Sequence, residues 1–68
     1  MLVELNHMAH GVIVNSGNNK KTEVGDLGYL ICSLGFDSGR EIYYIYFPRI
    51  DRFESWFEEN VIIYDSSI

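Results

Sequence analysis

Two histidines, one cysteine and a group of carboxylates are the residues best equipped for chemistry in this 68-residue chain. His7 and His10 stand three apart with Met8 between them. On one helical turn, imidazoles at that spacing could share a zinc ion. The surrounding residues lack helical periodicity and the sequence supplies no neighbouring third ligand, so two solvated loop histidines are expected and no metal. Cys32 lies between Ile31 and Ser33 in an apolar stretch, where a cysteine is usually a small buried hydrophobe. As the single cysteine it can form no internal disulfide, which suits a reducing compartment. No G-x-S-x-G nucleophile elbow is present. The segments NSGNN and DSG lack the lysine and spacing of a phosphate-binding loop, so both read as turns. No catalytic constellation emerges, and neither enzyme activity nor a cofactor is expected.

The carboxylates keep aromatic company. Asp51, Glu54, Glu58 and Glu59 surround Phe53, Trp56 and Phe57. Phe53, Trp56 and Phe57 fall at i, i+3 and i+4, one face of a helical turn. Asp51, with Glu54 three residues on, resembles a capping box. Two readings follow: a solvated acidic face with its aromatics turned inward, or an acidic and aromatic patch that docks on a basic protein surface.

Charge narrows the partners. Ten acidic and five basic residues give a net charge of −5. Nucleic-acid affinity rests largely on Lys and Arg neutralising phosphates, so direct nucleic-acid binding is not expected. A basic protein partner fits, as does mimicry of nucleic-acid charge, and a modest negative charge also keeps a small domain soluble. Hydrophobic residues at 47% and charged residues at 22% mark a globular chain, read as one domain over 1–68. A chain this short buries only about 60% of its unfolded surface, so a deep catalytic cleft would remove core it needs. No basic-then-apolar leader and no apolar run of roughly 20 residues occurs. A cytoplasmic protein without a membrane span is expected.

The elements that must position these residues read as strands. Residues 2–5 (LVEL) and 11–15 (GVIVN) are short and β-branched or aliphatic. Residues 16–25, rich in Gly, Asn and Lys, read as an exposed loop. Residues 27–36 form the next strand, with Gly28 at a bend and Gly35 at its close or at a bulge. DSGR, 37–40, is a tight turn, and the strand 41–47 completes the clearest hairpin. Pro48 ends it. A short helical turn in 49–60 and a closing strand, VIIYD, follow. About five short antiparallel strands must curl over one core, as a small barrel does.

With that order in place, the chain resembles SH3-like small barrels of the kind seen in the photosystem I accessory subunit and the ferredoxin–thioredoxin reductase variable subunit. The matching stretches are GVIVN, VGDLGYLI, YYIYF and FESWFEENVII. The likeness implies an all-β SH3-like barrel with one short helical turn before the last strand, and an accessory binding role. The chain is acidic and lacks the basic surface of those subunits, so no functional residue carries over.

Within residues 42–47 the only polar groups are tyrosine hydroxyls. Side chains alternate along a strand, so Tyr43, Ile45 and Phe47 are expected inward and Ile42, Tyr44 and Tyr46 outward. The outward set needs a cover: the aromatic helical turn, a second copy or another protein. Tyr and Trp are enriched at binding hot spots. The resulting expectation is a non-enzymatic protein-binding module using Tyr44, Tyr46, Asp51, Phe53, Glu54, Trp56, Glu58 and Glu59. One form of it is a phage-type or mobile-element inhibitor of a host enzyme. The alternative is a structural accessory subunit or a homodimer.

Overall fold

The computed structural model describes residues 10–19 and 21–64. Strands β1 (His10–Val14), β2 (Leu27–Asp37), β3 (Arg40–Phe47), β4 (Arg52–Phe57) and β5 (Val61–Tyr64) form one antiparallel sheet in the order β4-β3-β2-β1-β5. A single 3₁₀ turn, Glu58–Asn60, precedes β5. The all-β class, the strand number and the short turn are as the sequence suggests. Closure into a hydrogen-bonded barrel is not found: among the described residues β4 and β5 are the two edges of an open sheet. LVEL and His7 lie outside the described residues, and so does Lys20.

The hairpin of β2 and β3 turns on two residues, Ser38 and Gly39, both at positive φ (56° and 80°), the backbone a two-residue hairpin loop requires. Two irregularities interrupt the register, between Leu30 and Cys32 and between Ser33 and Gly35. Each inserts one extra β2 residue, and such bulges bend a strand and sharpen its twist.

The bulge at Ile31 also corrects an expectation. Leu30 pairs with Ile45 on the inward side, and strict alternation would return Cys32 to that side. The extra residue shifts the parity, so Cys32 stands opposite Tyr44 and is exposed.

The segment 52–57 is a strand rather than a helical turn. It pairs with β3 along its whole length, from Phe47↔Arg52 to Ile42↔Phe57. Its alternation sends Glu54 and Trp56 inward, while Phe53, Ser55 and Phe57 share the outward side. The i, i+3, i+4 spacing of the aromatics covers three residues only, and pairing with an aromatic neighbour strand overrides it. The helical turn lies just beyond, at Glu58–Asn60. Asp51 caps no helix; it sits at φ 52° in the β3–β4 turn, its N–H donating to the carbonyl of Pro48 (3.2 Å).

The core lies on the inward face: Val12, Val14, Ile45, Phe47, Trp56 and Val61. Phe47 and Trp56 meet with ring centroids 6.2 Å apart. A Cβ on Gly28 would stand 2.6 Å from Cγ2 of Ile45, so this glycine is where β3 side chains close over β2.

The loop between β1 and β2 is fastened rather than loose. Ser16 donates to Asn60 Oδ1 (2.9 Å) and Asn19 Nδ2 to the Ser55 carbonyl (3.0 Å). Arg49 forks onto Asp26 (2.9 and 2.7 Å) and reaches the Lys21 carbonyl (2.9 Å). The Arg49 guanidinium holds the Asp26 carboxyl below the ordinary carboxylate range. Thr22, fully buried, donates to the carboxylate of Glu54.

Candidate functional site

The outward face of the sheet is built by alternation and register. Ile45 and Phe47 are buried, so Ile42, Tyr44 and Tyr46 project the other way. Pairing then fixes their neighbours. Phe53 lies beside Tyr46, Tyr29 on its other side, Gly11 beside Tyr29, and Tyr64 beside Gly11. One row of aromatics therefore crosses all five strands, broken only by a glycine.

That glycine has a role. A Cβ at Gly11 would collide with the ring of Tyr64. Tyr64 lies folded over the bare backbone of β1, and Tyr29 rises on the far side. Leu27, Gly28, Tyr29, Pro48 and Tyr64 line a shallow cleft of about 160 Å³ at this end of the row.

At the other end the rings touch. Phe53 stacks on Tyr44, centroids 5.4 Å apart and planes at 14°, and tilts against Tyr46 at 4.8 Å. The Tyr46 hydroxyl donates to Asp51 Oδ1 (2.5 Å). This bond, which favours the neutral phenol, is the main reason the Tyr46 pKa lies above that of an ordinary tyrosine. Phe53 therefore covers β3 sideways, as a member of the same layer, and leaves its own face open.

The rings remain exposed: Tyr29 by 50%, Phe53 by 52% and Tyr64 by 41%. Leu27 and Ile62, outward neighbours in the adjoining row, are exposed too. Apart from Arg40 at the end of β3, every side chain this face takes from β3 and β4 is uncharged. Charges stand at its rim: Asp51 at one end, and at the other Arg40, which lies 3.8 Å over the Phe57 ring and pairs with Glu59 at 2.9 Å. An uncharged, aromatic, exposed patch with a polar rim has the composition of a protein interface rather than of ordinary surface.

The residues singled out in the sequence divide into three sets. Tyr44, Tyr46 and Phe53 come together on the outward face, with Asp51 at its edge. Glu58 and Glu59 are exposed in the 3₁₀ turn, at the opposite end of β4 from Asp51. Glu54 and Trp56 are buried, 5% and 4% exposed, and face the core. Trp56 Nε1 donates to Glu54 Oε1 (3.2 Å), while Arg52 Nε stands 3.4 Å from Oε2 as an ion pair without hydrogen-bond alignment. These contacts make Glu54 an internal anchor for the β1–β2 loop through Thr22, not a docking residue.

Tyr29, Tyr64 and Gly11 complete the face without a signal in the sequence. Their place depends on the register across β1, β2 and β5, which residue type does not encode.

On the inward side of the same hairpin, Tyr43 donates to Glu41 Oε1 (3.0 Å). Burial first, then that bond, raises its pKa above the ordinary phenol value. No nucleophile adjoins it. Among the described residues no three His, Cys, Asp or Glu side chains gather as a metal site, and no helix is long and apolar enough to cross a membrane. Comparison of the chain with protein-family models, with curated proteins and with solved structures finds no match.

Proposed function

We propose that this chain is a non-enzymatic protein-binding module that works through the outward face of its sheet. The observation that carries the proposal is the uncharged aromatic row Tyr64, Tyr29, Tyr46 and Phe53, in which Tyr64, Tyr29 and Phe53 are exposed and Tyr46 half-buried, on a chain that is 22% charged. Large amphipathic rings supply contact area at low entropic cost, and tyrosine hydroxyls satisfy polar groups at the edge.

A narrower form of the proposal is an inhibitor that occupies the basic surface of an enzyme, of the kind mobile elements and phages carry. Small size and an excess of carboxylates support it. A second reading, a homodimer or a subunit docked through this face, is favoured by the uncharged aromatic row at its centre, because interfaces between copies are the most apolar class.

Affinity capture with the wild type beside a Tyr29→Ser/Phe53→Ser variant of equal melting temperature tests the proposal. A protein retained by the wild type and lost with the variant is the expected result. Capture that is unchanged by the variant moves the working surface elsewhere. Loss of a concentration-dependent dimer in the variant selects the second reading.

A further inference from the structure

The outward face already contains one guanidinium seated on a ring. Arg40 lies over Phe57 with Cζ 3.8 Å from the centroid, and its Nη1 meets Oε2 of Glu59 at 2.9 Å. Phe53 is the other outward ring of β4. It too has a carboxylate nearby, Asp51, two residues before it and tied to its neighbour Tyr46. What this second arrangement lacks, among the described residues, is the cation.

Among the described residues the distribution of charge supplies none. Arg40 is paired with Glu59, Arg49 with Asp26 and Arg52 with Glu54. Every arginine of the sequence is thereby neutralised internally. Asp51 instead accepts from a neutral hydroxyl, and among the described residues no ion pair compensates its charge at the edge of an exposed ring. Its turn and that hydroxyl hold it in place before any partner arrives.

We propose that Phe53, Tyr46 and Asp51 form a subsite for an arginine side chain of the partner protein, with the guanidinium plane on the Phe53 ring and its N–H groups on Asp51. The inference rests on the binding face proposed above and names the chemistry of its partner. Arginine fits better than lysine because its planar, weakly hydrated cation stacks on a ring while donating in its own plane. Charge complementarity agrees: the chain is acidic, and an arginine of the partner brings the opposite charge to Asp51.

The test is an NMR titration of the full chain at low salt with three probes: N-acetyl-arginine amide, its uncharged isostere N-acetyl-citrulline amide, and N-acetyl-tryptophan amide. The arginine probe is expected to move the ring signals of Phe53 and Tyr46 and the amide of Asp51, at least about threefold more strongly than citrulline. Asp51→Asn, which keeps a residue tolerant of the left-handed backbone, should bring the two probes level while the rest of the spectrum stays folded. Phe53→Leu should weaken the arginine probe with Asp51 intact.

Equal response to arginine and citrulline in the wild type overturns the subsite. If the tryptophan probe still moves the aromatic row in that case, the binding face stands without it. If neither arginine nor tryptophan moves the row, both proposals fall. Row signals that shift with protein concentration alone place a second copy on the face, which overturns the arginine subsite.

Discussion

The two faces of β3 are made of nearly the same amino acids and meet opposite fates. Tyr43, Ile45 and Phe47 point inward, where Ile45 and Phe47 are fully buried. Ile42, Tyr44 and Tyr46 point outward into a layer whose outermost rings stay half exposed. Composition alone therefore does not separate core from interface in this chain. What separates them is whether the loop, the 3₁₀ turn and the far strands close over a face. They close over the inward one, and the anchor of that closure is a buried carboxylate, Glu54, held by Thr22 and Trp56.

The comparison predicts a division of labour between stability and binding. The largest effect is expected from Phe47→Ala, which opens a cavity at the centre of the core beside Ile45 and Trp56 and costs about 3–5 kcal/mol. In so small a domain that leaves little folded protein, as denaturant unfolding would register. Glu54→Ala comes next, at about 3 kcal/mol, because it strands the buried Thr22 hydroxyl and the Trp56 N–H. The same curve measures it, and proteolysis should cut first in the 15–26 loop.

Gly11→Ala should cost about 1–2 kcal/mol through overpacking against Tyr64, and most of that loss should vanish in a Gly11→Ala/Tyr64→Ala double variant. A penalty that survives in the double variant would show that Tyr64 is not seated on Gly11. On the outward face, Tyr29→Ser and Phe53→Ser should each change stability by less than about 1 kcal/mol while removing binding. If they unfold the domain, the outward face is core and the contrast between the faces fails.

The smallest effects are in titration. Asp51 raises the Tyr46 pKa and burial raises that of Tyr43, so absorbance should show two phenols ionising above the usual tyrosine value, and Asp51→Asn should bring only the Tyr46 one down. For Asp26 the sign is opposite. Its folded pKa is lowered, so its contribution is present above the unfolded value near 3.8 and is lost as pH falls from there through the folded value. Asp26→Asn should flatten that part of the acid-stability curve.

Much of the fold is legible in the sequence. Pro48 ends β3, the residues around Gly39 turn the hairpin, and the β-branched runs mark β1 and β5. The inward set of β3 follows from its two residues without a hydroxyl. Two features are not legible, for physical reasons. The segment 52–57 has a short helical spacing of aromatics, and only its long-range pairing with β3 decides for a strand. The bulges in β2 shift parity at Ile31 and Leu34, so the outward position of Cys32 cannot be read from alternation. Part of the aromatic face lies beyond reach for a related reason: Tyr44, Tyr46 and Phe53 are near in sequence, whereas Tyr29 and Tyr64 join them through register alone. Glu54 illustrates the converse. Its neighbours in sequence look like a solvated acidic surface, and its burial depends on Thr22, 32 residues away.

Hydroxyl-radical footprinting of the wild type, alone and in complex with the protein it captures, tests the central claim most directly. The account predicts that Tyr29, Tyr46, Phe53 and Tyr64 are labelled in the free chain and protected together in the complex, with Phe47 unlabelled throughout. Protection confined to the 15–26 loop or the 3₁₀ turn, with the aromatic row labelled equally in both states, would contradict it.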